Sequence, residues 1–315
     1  MDDIKLATIP VLSAGECINT LAFMYKNVIN KGLNLKKTPS VMLWGPPGVG
    51  KSQSVKELAQ ILQYETYKRV NVTDVRLLLF NPIDLRGIPT ANEDKTLAVW
   101  LKPKIFQMDP SDGVINILFL DEITAAPQSV QAAAYQITLD RTVGEHKLPD
   151  NCIVIAAGNR TTDKSVAYAM PKALANRLLH LEVEPNFASW NKWAVGNGIN
   201  PKVLGFLKFK PNYLIETDIK TSTLAYATPR TWEMVSDVLN NVSADIKDVY
   251  HLVAGLVGKG IAVEFRSWCS IYEQLPDIES IFKGRYVEVP KRPDVLYALI
   301  SSMLTYAKLH KDDLV

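Results

Sequence analysis

The segment Gly45-Pro46-Pro47-Gly48-Val49-Gly50-Lys51-Ser52 has the residue types and the spacing that hold a chain of phosphates. Its glycines let the backbone approach an anion with N–H groups pointing inward, and the helix that follows adds partial positive charge. Lys51 would reach the β and γ phosphates of a nucleotide, and the Ser52 hydroxyl would bind a magnesium ion. The candidate nucleotide-binding residues are Gly45, Pro46, Pro47, Gly48, Val49, Gly50, Lys51, Ser52 and Gln53.

Acidic and amide side chains follow two later apolar runs. Asp121 and Glu122 come directly after residues 117–120, and Asn159 follows residues 152–157. Because ligands of open parallel sheets bind at the carboxyl ends of the strands, we predict that Asp121 holds magnesium and that Glu122 polarises an attacking water. Asn159 would contact that water or the γ phosphate. Solvated acids at a strand end and a turn-forming asparagine are the alternatives that these residues alone leave open.

A sheet must bring these side chains together, and the first half of the chain has the pattern for one. Short runs of branched apolar residues alternate with longer segments of helical periodicity, which predicts a parallel α/β sheet. The predicted strands are 41–44, 67–72, 117–121, 152–157 and 179–183, and the predicted crossover helices are 52–63 and 128–139.

The pattern changes after Pro185, where strand signals fade and helical periodicity dominates, as in 231–239 and 293–309. We therefore expect one α/β domain over residues 1–185 and a smaller α-helical domain over residues 186–315. The glycine-rich run 255–260 has no strand before it and is interpreted as a helix break.

Two segments interrupt the α/β alternation. Residues 81–104 contain three prolines and Gly87, which excludes a single helix or a central strand and predicts an excursion from the core. Residues 142–148, with Gly144 at their middle, predict a short hairpin. Ordinary surface loops are equally compatible with both patterns.

Composition restricts the function further. Thirty-five basic and 33 acidic residues leave a formal charge of +2, so composition does not predict a nucleic-acid partner. The three cysteines are far apart and odd in number, which argues against a disulfide framework and a clustered zinc site. The N-terminus lacks the apolar run of a signal peptide, and no run approaches the roughly 18 residues that span a bilayer. We expect a cytoplasmic protein without membrane insertion.

The ordered set of motifs resembles the AAA+ ATPases over residues from about 40 to 240. After the phosphate loop, Asp121-Glu122 and Asn159 come Ala175-Asn176-Arg177, ahead of the last strand, and Thr228-Pro229-Arg230 in the helical part. The runs 156–160 and 227–232, together with the two interrupting segments, look most like the MoxR branch.

The resemblance implies a sheet of order 5-1-4-3-2 with helices on both faces, an α-helical lid, and a homo-oligomeric ring, usually of six subunits. It implies ATP and Mg²⁺ as ligands and a von Willebrand factor A domain protein as partner. By the same likeness Asn159 is sensor 1, Arg230 is sensor 2, and Arg177 is the arginine finger that acts on the neighbouring subunit. Arg160 and Arg141 compete with Arg177 for the finger role.

Together these features predict a magnesium-dependent ATPase that acts on a protein client by in-line attack of water on the γ phosphate. A DNA-associated motor or clamp-loader-like subunit is an alternative that the near-neutral charge does not favour. A P-loop kinase is a second alternative, and it leaves Asn159, Arg177 and Arg230 without roles. A non-hydrolysing scaffold is disfavoured by Glu122.

Overall fold

The structure, a computed structural model, describes residues 9–160, 163, 168, 170–216, 223–242, 246–272, 274–285 and 288–309. The chain divides into two compact units, Met1–Glu184 and Pro185–Val315. Among the residues described, no helix is both long and apolar enough to cross a lipid bilayer.

The first unit is built on a six-stranded sheet in which every neighbouring pair of strands is parallel. In chain order its elements are β1 (Val11–Ser13), α1 (Ala14–Asn30), β2 (Val41–Trp44), α2 (Lys51–Thr66), β3 (Arg69–Arg76), α3 (Pro82–Arg86), β4 (Ile88–Ala91), β5 (Ala98–Leu101), β6 (Val114–Asp121), α4 (Gln128–Asp140), β7 (Thr142–Val143), β8 (His146–Lys147), β9 (Cys152–Gly158), α5 (Lys172–Ala175) and β10 (Leu179–Glu184). The strand order is β1-β10-β2-β9-β6-β3. The five predicted strands are β2, β3, β6, β9 and β10, so their order 5-1-4-3-2 is confirmed.

Three strands differ from the prediction. β6 begins at Val114, three residues before the predicted strand 117–121. β1 was not predicted, because three residues carry no periodicity and only their pairing with β10 makes them a strand. β3 runs from Arg69 to Arg76 rather than over residues 67–72. Tyr67 ends α2 in a left-handed conformation, with φ of 55°, so the strand starts later. It then continues past the apolar run because all eight of its residues pair with β6.

Residues of the inner strands β2, β6 and β9 are buried on both faces of the sheet, as the apolar runs predict. In β9, Cys152, Val154 and Ala156 belong to a cluster that includes the apolar side of α4. The residues between them are also buried. Helices α1 and α2 pack against each other and contact β10 and β6. The prediction of helices on both faces is therefore confirmed.

Both interrupting segments form antiparallel hairpins outside the central sheet. In the first, α3 leads into β4 and β5, which pair with each other and lie mostly exposed. In the second, β7 pairs with β8 across Gly144, whose φ of 57° favours glycine. The hairpin predicted over residues 142–148 is confirmed.

The second unit is helical around an aromatic core. Its helices are α6 (Phe187–Gly196), α7 (Pro201–Phe209), α8 (Pro229–Val242), α9 (Ile246–Val257), α10 (Lys259–Tyr272), α11 (Ile278–Phe282) and α12 (Pro293–Leu309). Phe206 packs at a tilt or edge-on against Trp232, Phe265 and Trp268 at ring-centroid distances of 5.2 to 6.4 Å. Gly258, with φ of 84°, separates α9 from α10 and is the predicted helix break.

Candidate active site

The phosphate loop joins β2 to α2, and its glycines adopt conformations that other residues rarely take. Gly45, Gly48 and Gly50 have φ values of 150°, 80° and 99°. A Cβ atom on Gly45 would lie 2.4 Å from the carbonyl oxygen of Val183 on β10. The loop therefore lies directly against the neighbouring strand, and glycine at its first position is a packing requirement.

Lys51 begins α2 and is buried beneath the loop. Its Nζ donates to the carbonyl oxygens of Gly45, at 2.5 Å, and Pro46, at 3.0 Å. It also donates to Oδ1 of Asn159 at 3.0 Å. β2 and β9 are neighbours with Trp44 opposite Gly158, so the residues that follow each strand meet. The structure thus brings together the ammonium group and the amide that the sequence analysis placed at one sheet edge.

Ser52 and Asp121 form the second pair at this edge. Ser52 Oγ donates to Asp121 Oδ2 at 2.8 Å, and Asp121 Oδ1 accepts from the backbone N–H of Glu122 at 2.9 Å. A hydroxyl and a carboxylate are hard oxygen ligands of the kind that Mg²⁺ takes alongside water and phosphate oxygens. In the described part of the chain, no three His, Cys, Asp or Glu side chains cluster as a metal cage. The donor set fits magnesium that is held largely by water and phosphate.

A second carboxyl group lies near this pair. Asp74, on β3, has its pKa raised by partial burial and by the charge of Asp121, against the opposing influence of Arg76 and Lys56. The sequence analysis did not single out Asp74. Its position on an edge strand two residues before the strand end was the only signal available.

Glu122 lies in the turn that follows β6 and has a φ of 57°, which is uncommon for a residue with a side chain. The turn is closed by a hydrogen bond from Ala125 N to Glu122 O, at 3.0 Å, and is joined to β9 by one from Ile123 N to Ala157 O, at 2.9 Å. The Glu122 side chain is half-buried. The turn therefore holds Asp121 and Glu122 in a fixed arrangement at the carboxyl edge of the sheet.

Thr124 adds a link that the sequence analysis missed. Its Oγ1 accepts from the backbone N–H of Asn159 at 3.0 Å and donates to the carbonyl oxygen of Asn159 at 3.1 Å. A threonine two residues beyond an acidic pair has no distinguishing pattern, so sequence offered no signal for it.

The three arginines considered for the finger role have different surroundings. Arg141 is buried and donates to the carbonyl oxygens of Cys152, at 2.8 Å, and Thr38, at 2.9 Å, and its burial lowers its pKa. Arg160 pairs with Asp163 and Glu182 of its own unit. Arg177 is exposed in the turn between α5 and β10. Arg141 and Arg160 are thus engaged in contacts within their own unit.

Arg230 belongs to the second unit, in the first turn of α8, and is exposed. Thr228 caps this helix, because its Oγ1 accepts from Thr231 N at 3.1 Å, and Pro229 occupies the first turn, where its missing N–H is harmless.

Comparison with known protein families places these motifs in context. Residues 40–180 match the model of the ATPase family associated with various cellular activities (AAA). Over this segment the chain is similar to the AAA ATPases. The matched stretch contains the phosphate loop, the Asp121-Glu122 pair, Asn159 and Arg177. A search of the curated proteins finds no significant match.

Solved structures show general likeness at low identity. PCH-2 of C. elegans has a TM-score of 0.38 and 14% identity, over 96% of this chain and 69% of that one. A point mutant of Thermotoga maritima RuvB has a TM-score of 0.41 and 16% identity, over 94% of this chain and 84% of that one. Hsp104 with ATPγS and casein has a TM-score of 0.47 and 15% identity, over 76% of this chain and 45% of that one.

Proposed function

We propose that this chain is a magnesium-dependent ATPase of MoxR type that forms a ring and uses hydrolysis to change the conformation of a protein client. One observation carries the catalytic part of the proposal. Residues that the sequence analysis selected from separate motifs meet at the edge of one parallel sheet, where Lys51 is hydrogen-bonded to Asn159 and Ser52 to Asp121.

Each side chain has a chemical role in this arrangement. Lys51 would exchange its protein partners for the β and γ phosphate oxygens, and Asn159 would then face the γ phosphate and the attacking water. Glu122 would accept a proton from that water. Magnesium, held through Ser52 and Asp121, would neutralise charge on the phosphate oxygens. The fixed turn at Glu122 and the buried Lys51 supply a prearranged electrostatic site.

Two substitutions test this function. We expect Lys51→Ala to abolish tight ATP binding, because the loop loses the cation that contacts the phosphates.

We expect Glu122→Gln to keep ATP binding while turnover falls by roughly 10² to 10⁴-fold, the usual contribution of a positioned general base. Glu65→Gln, in the last turn of α2 and paired with Lys26, is the matched control. Wild-type turnover in Glu122→Gln would overturn the assignment.

The proposal that the chain forms a ring rests on the exposure of Arg177. An exposed arginine close to the start of β10 is available to a neighbouring subunit, whereas Arg141 and Arg160 are engaged within their own unit. Arg230, at the start of α8, is the corresponding sensor 2 candidate in the helical unit, which we propose is the lid.

A protein client is supported by the first hairpin segment. A cleft of about 500 Å³, here called the hairpin cleft, is lined mainly by aliphatic side chains that include Leu79, Ile83, Ile88 and Leu101. All four are more than half exposed. Exposed apolar patches of this kind mark protein-binding sites, whereas nucleic acid would select for basic and polar groups. Among the charged residues that line the hairpin cleft, Lys102 and Lys104 outnumber Asp84, so we propose that its occupant is an apolar protein segment with acidic neighbours.

The von Willebrand factor A domain partner and the cytoplasmic location remain proposals that rest on the MoxR resemblance and on cysteine usage. ATPase assays with duplex DNA and with an apolar acidic peptide separate the client classes. Stimulation by DNA alone would favour the DNA-associated alternative.

A further inference from the structure

We infer that Thr124 is a positioning residue for hydrolysis, because its hydroxyl ties the turn that carries Glu122 to the strand end that carries Asn159. This inference rests on the proposed ATP hydrolysis. Thr124 is only 1% exposed, so its hydroxyl is shielded from solvent and its hydrogen bonds are made within the protein.

The geometry of these bonds is specific. One hydroxyl group satisfies both backbone groups of a single residue, since Asn159 N donates to Thr124 Oγ1 and Thr124 Oγ1 donates to Asn159 O. The backbone of Asn159 is therefore held by two bonds to one side chain. Its own side chain is left to contact Lys51 Nζ, 3.0 Å away.

The link replaces a sheet ladder that the backbone cannot continue. β6 and β9 remain in register up to Leu120 and Ala156, and Ile123 N still reaches Ala157 O. Beyond that point the left-handed conformation of Glu122 has turned the chain out of the extended path. The Thr124 hydroxyl then makes the bonds to Asn159 that a further pair of strand residues would make.

The turn is also fixed from its other sides. A Cβ on Gly158 would lie 2.7 Å from both Oγ1 and Cγ2 of Thr124, so the threonine packs directly on the backbone before Asn159. From α4, Gln131 Nε2 donates to the carbonyl oxygens of Ala126, at 2.8 Å, and Thr124, at 3.3 Å. Thr124 is consequently held while it holds Asn159.

Removal of the hydroxyl should affect hydrolysis more than nucleotide binding. The phosphate loop keeps its own contacts, whereas Asn159 loses the bonds that fix its distance from Glu122. Misplacement of a catalytic group by about 1 Å can lower turnover by 10²-fold. We therefore expect Thr124→Val to reduce kcat by about 10- to 10²-fold, with the Kd for ATP changed less than about threefold.

The experiment compares Thr124→Val with Thr124→Ser, which keeps the hydroxyl. We expect the serine variant to restore most of kcat. Thr138→Val is the matched control, because Thr138 is also buried and its Oγ1 donates to Tyr135 O at 2.8 Å within α4. It should lose stability without losing turnover. Thr124→Ala, which removes the hydroxyl with less bulk, supplies the same measurement if the valine variant does not fold.

A double-variant cycle tests whether Thr124 acts through Asn159. If it does, Thr124→Val should lower kcat little further in an Asn159→Ala background. An undiminished additional loss in that background, or a Thr124→Ser variant as slow as Thr124→Val, would overturn the positioning role alone. Absence of ATP turnover in the wild-type protein, or a normal rate in Glu122→Gln, would instead overturn the proposed function and this role with it.

Discussion

The candidate active-site edge of the sheet and the hairpin cleft are both unusual in residue burial, because the first buries a charged side chain and the second exposes apolar ones. At the sheet edge a lysine is 8% exposed, and its ammonium group is bonded to protein oxygens. In the hairpin cleft, Leu79 and Ile88 are 75% and 62% exposed. Charged residues are rarely buried and large apolar clusters are rarely exposed, so both regions are unusual. Chemistry requires polar groups held in place, whereas binding requires apolar surface left uncovered.

The two regions are connected through the short hairpin of β7 and β8. His146 Nε2 donates to the carbonyl oxygen of Trp100 on β5 at 2.7 Å, and a Cβ on Gly144 would lie 2.6 Å from the carbonyl oxygen of Arg86. β8 leads into β9, whose carboxyl end is followed by Asn159. The hairpin of β7 and β8 therefore contacts the first hairpin segment and directly precedes the strand that ends at the candidate active site.

The largest effect is expected from substitution of Arg177. It tests whether the candidate active site needs an arginine from a second subunit. Arg177→Ala should bind ATP normally and lose turnover by up to roughly 10³ to 10⁵-fold, the range for arginine fingers. Mixing it with Lys51→Ala subunits, each inactive alone, should restore part of the activity where an intact loop meets a donated Arg177.

Mixed rings that form but show no turnover would contradict the role in trans. Arg160 would then become the stronger candidate, since buried Arg141 is bonded to two backbone carbonyls.

Substitution of Arg141 tests how much a buried polar side chain contributes to the stability of the first unit. Arg141→Met should keep the buried volume but leave the carbonyl oxygens of Cys152 and Thr38 without these donors. We expect the free energy of unfolding to fall by about 2 to 4 kcal/mol, measured by urea denaturation. Lys68→Met is the control, because Lys68 is a half-buried lysine whose Nζ donates to the carbonyl oxygen of Asp112. An unchanged denaturation midpoint would show that the buried guanidinium contributes little.

Substitution in the hairpin cleft should have the opposite effect to Arg141→Met. We expect it to weaken peptide binding and to leave the stability of the protein unchanged. Leu101→Asp should weaken binding of a fluorescent peptide of alternating Leu and Glu by at least about tenfold, through lost apolar contact and added like charge. Its unfolding midpoint and basal ATPase should stay near wild type, because the side chain is exposed. Leu224→Asp, at an exposed leucine of the second unit, is the matched control. Tighter binding of a Leu and Lys peptide would contradict the proposed occupant.

The smallest effect is expected at Asp74. Burial and Asp121 raise the pKa of Asp74 in the folded state, so its ionised form is disfavoured there and reduces stability above that pKa. Asp74→Asn should raise the unfolding temperature by about 1 to 3 °C at pH 7. The gain should shrink as the pH falls toward 3.8, the ordinary value for the group. Thermal unfolding at several pH values checks this, and a gain that grows on acidification would contradict it.

The sequence predicted those features that depend on local pattern or on strand order. The spacing of the glycines at 45, 48 and 50 and of the acids at the end of β6 was informative, because backbone conformation and the sheet edge fix where these residues lie. β1 was missed because three residues acquire strand structure only by pairing with β10. Thr124 and the contrast between Arg141 and Arg160 depend on bonding partners that are distant in sequence, such as the carbonyl oxygen of Thr38 for Arg141 and the carboxylate of Glu182 for Arg160.

The outer strands of the sheet limit the ways in which copies of the chain can join. An uncovered edge strand offers unpaired N–H and C=O groups on which another chain can add a strand and start aggregation. β1 offers only three residues and is preceded by Pro10, which has no N–H to donate. β3 is longer, but Arg69 and Arg76 place exposed charges at its two ends. Strand addition is opposed at both edges, so the proposed ring would join its subunits through side-chain surfaces and not by extending the sheet.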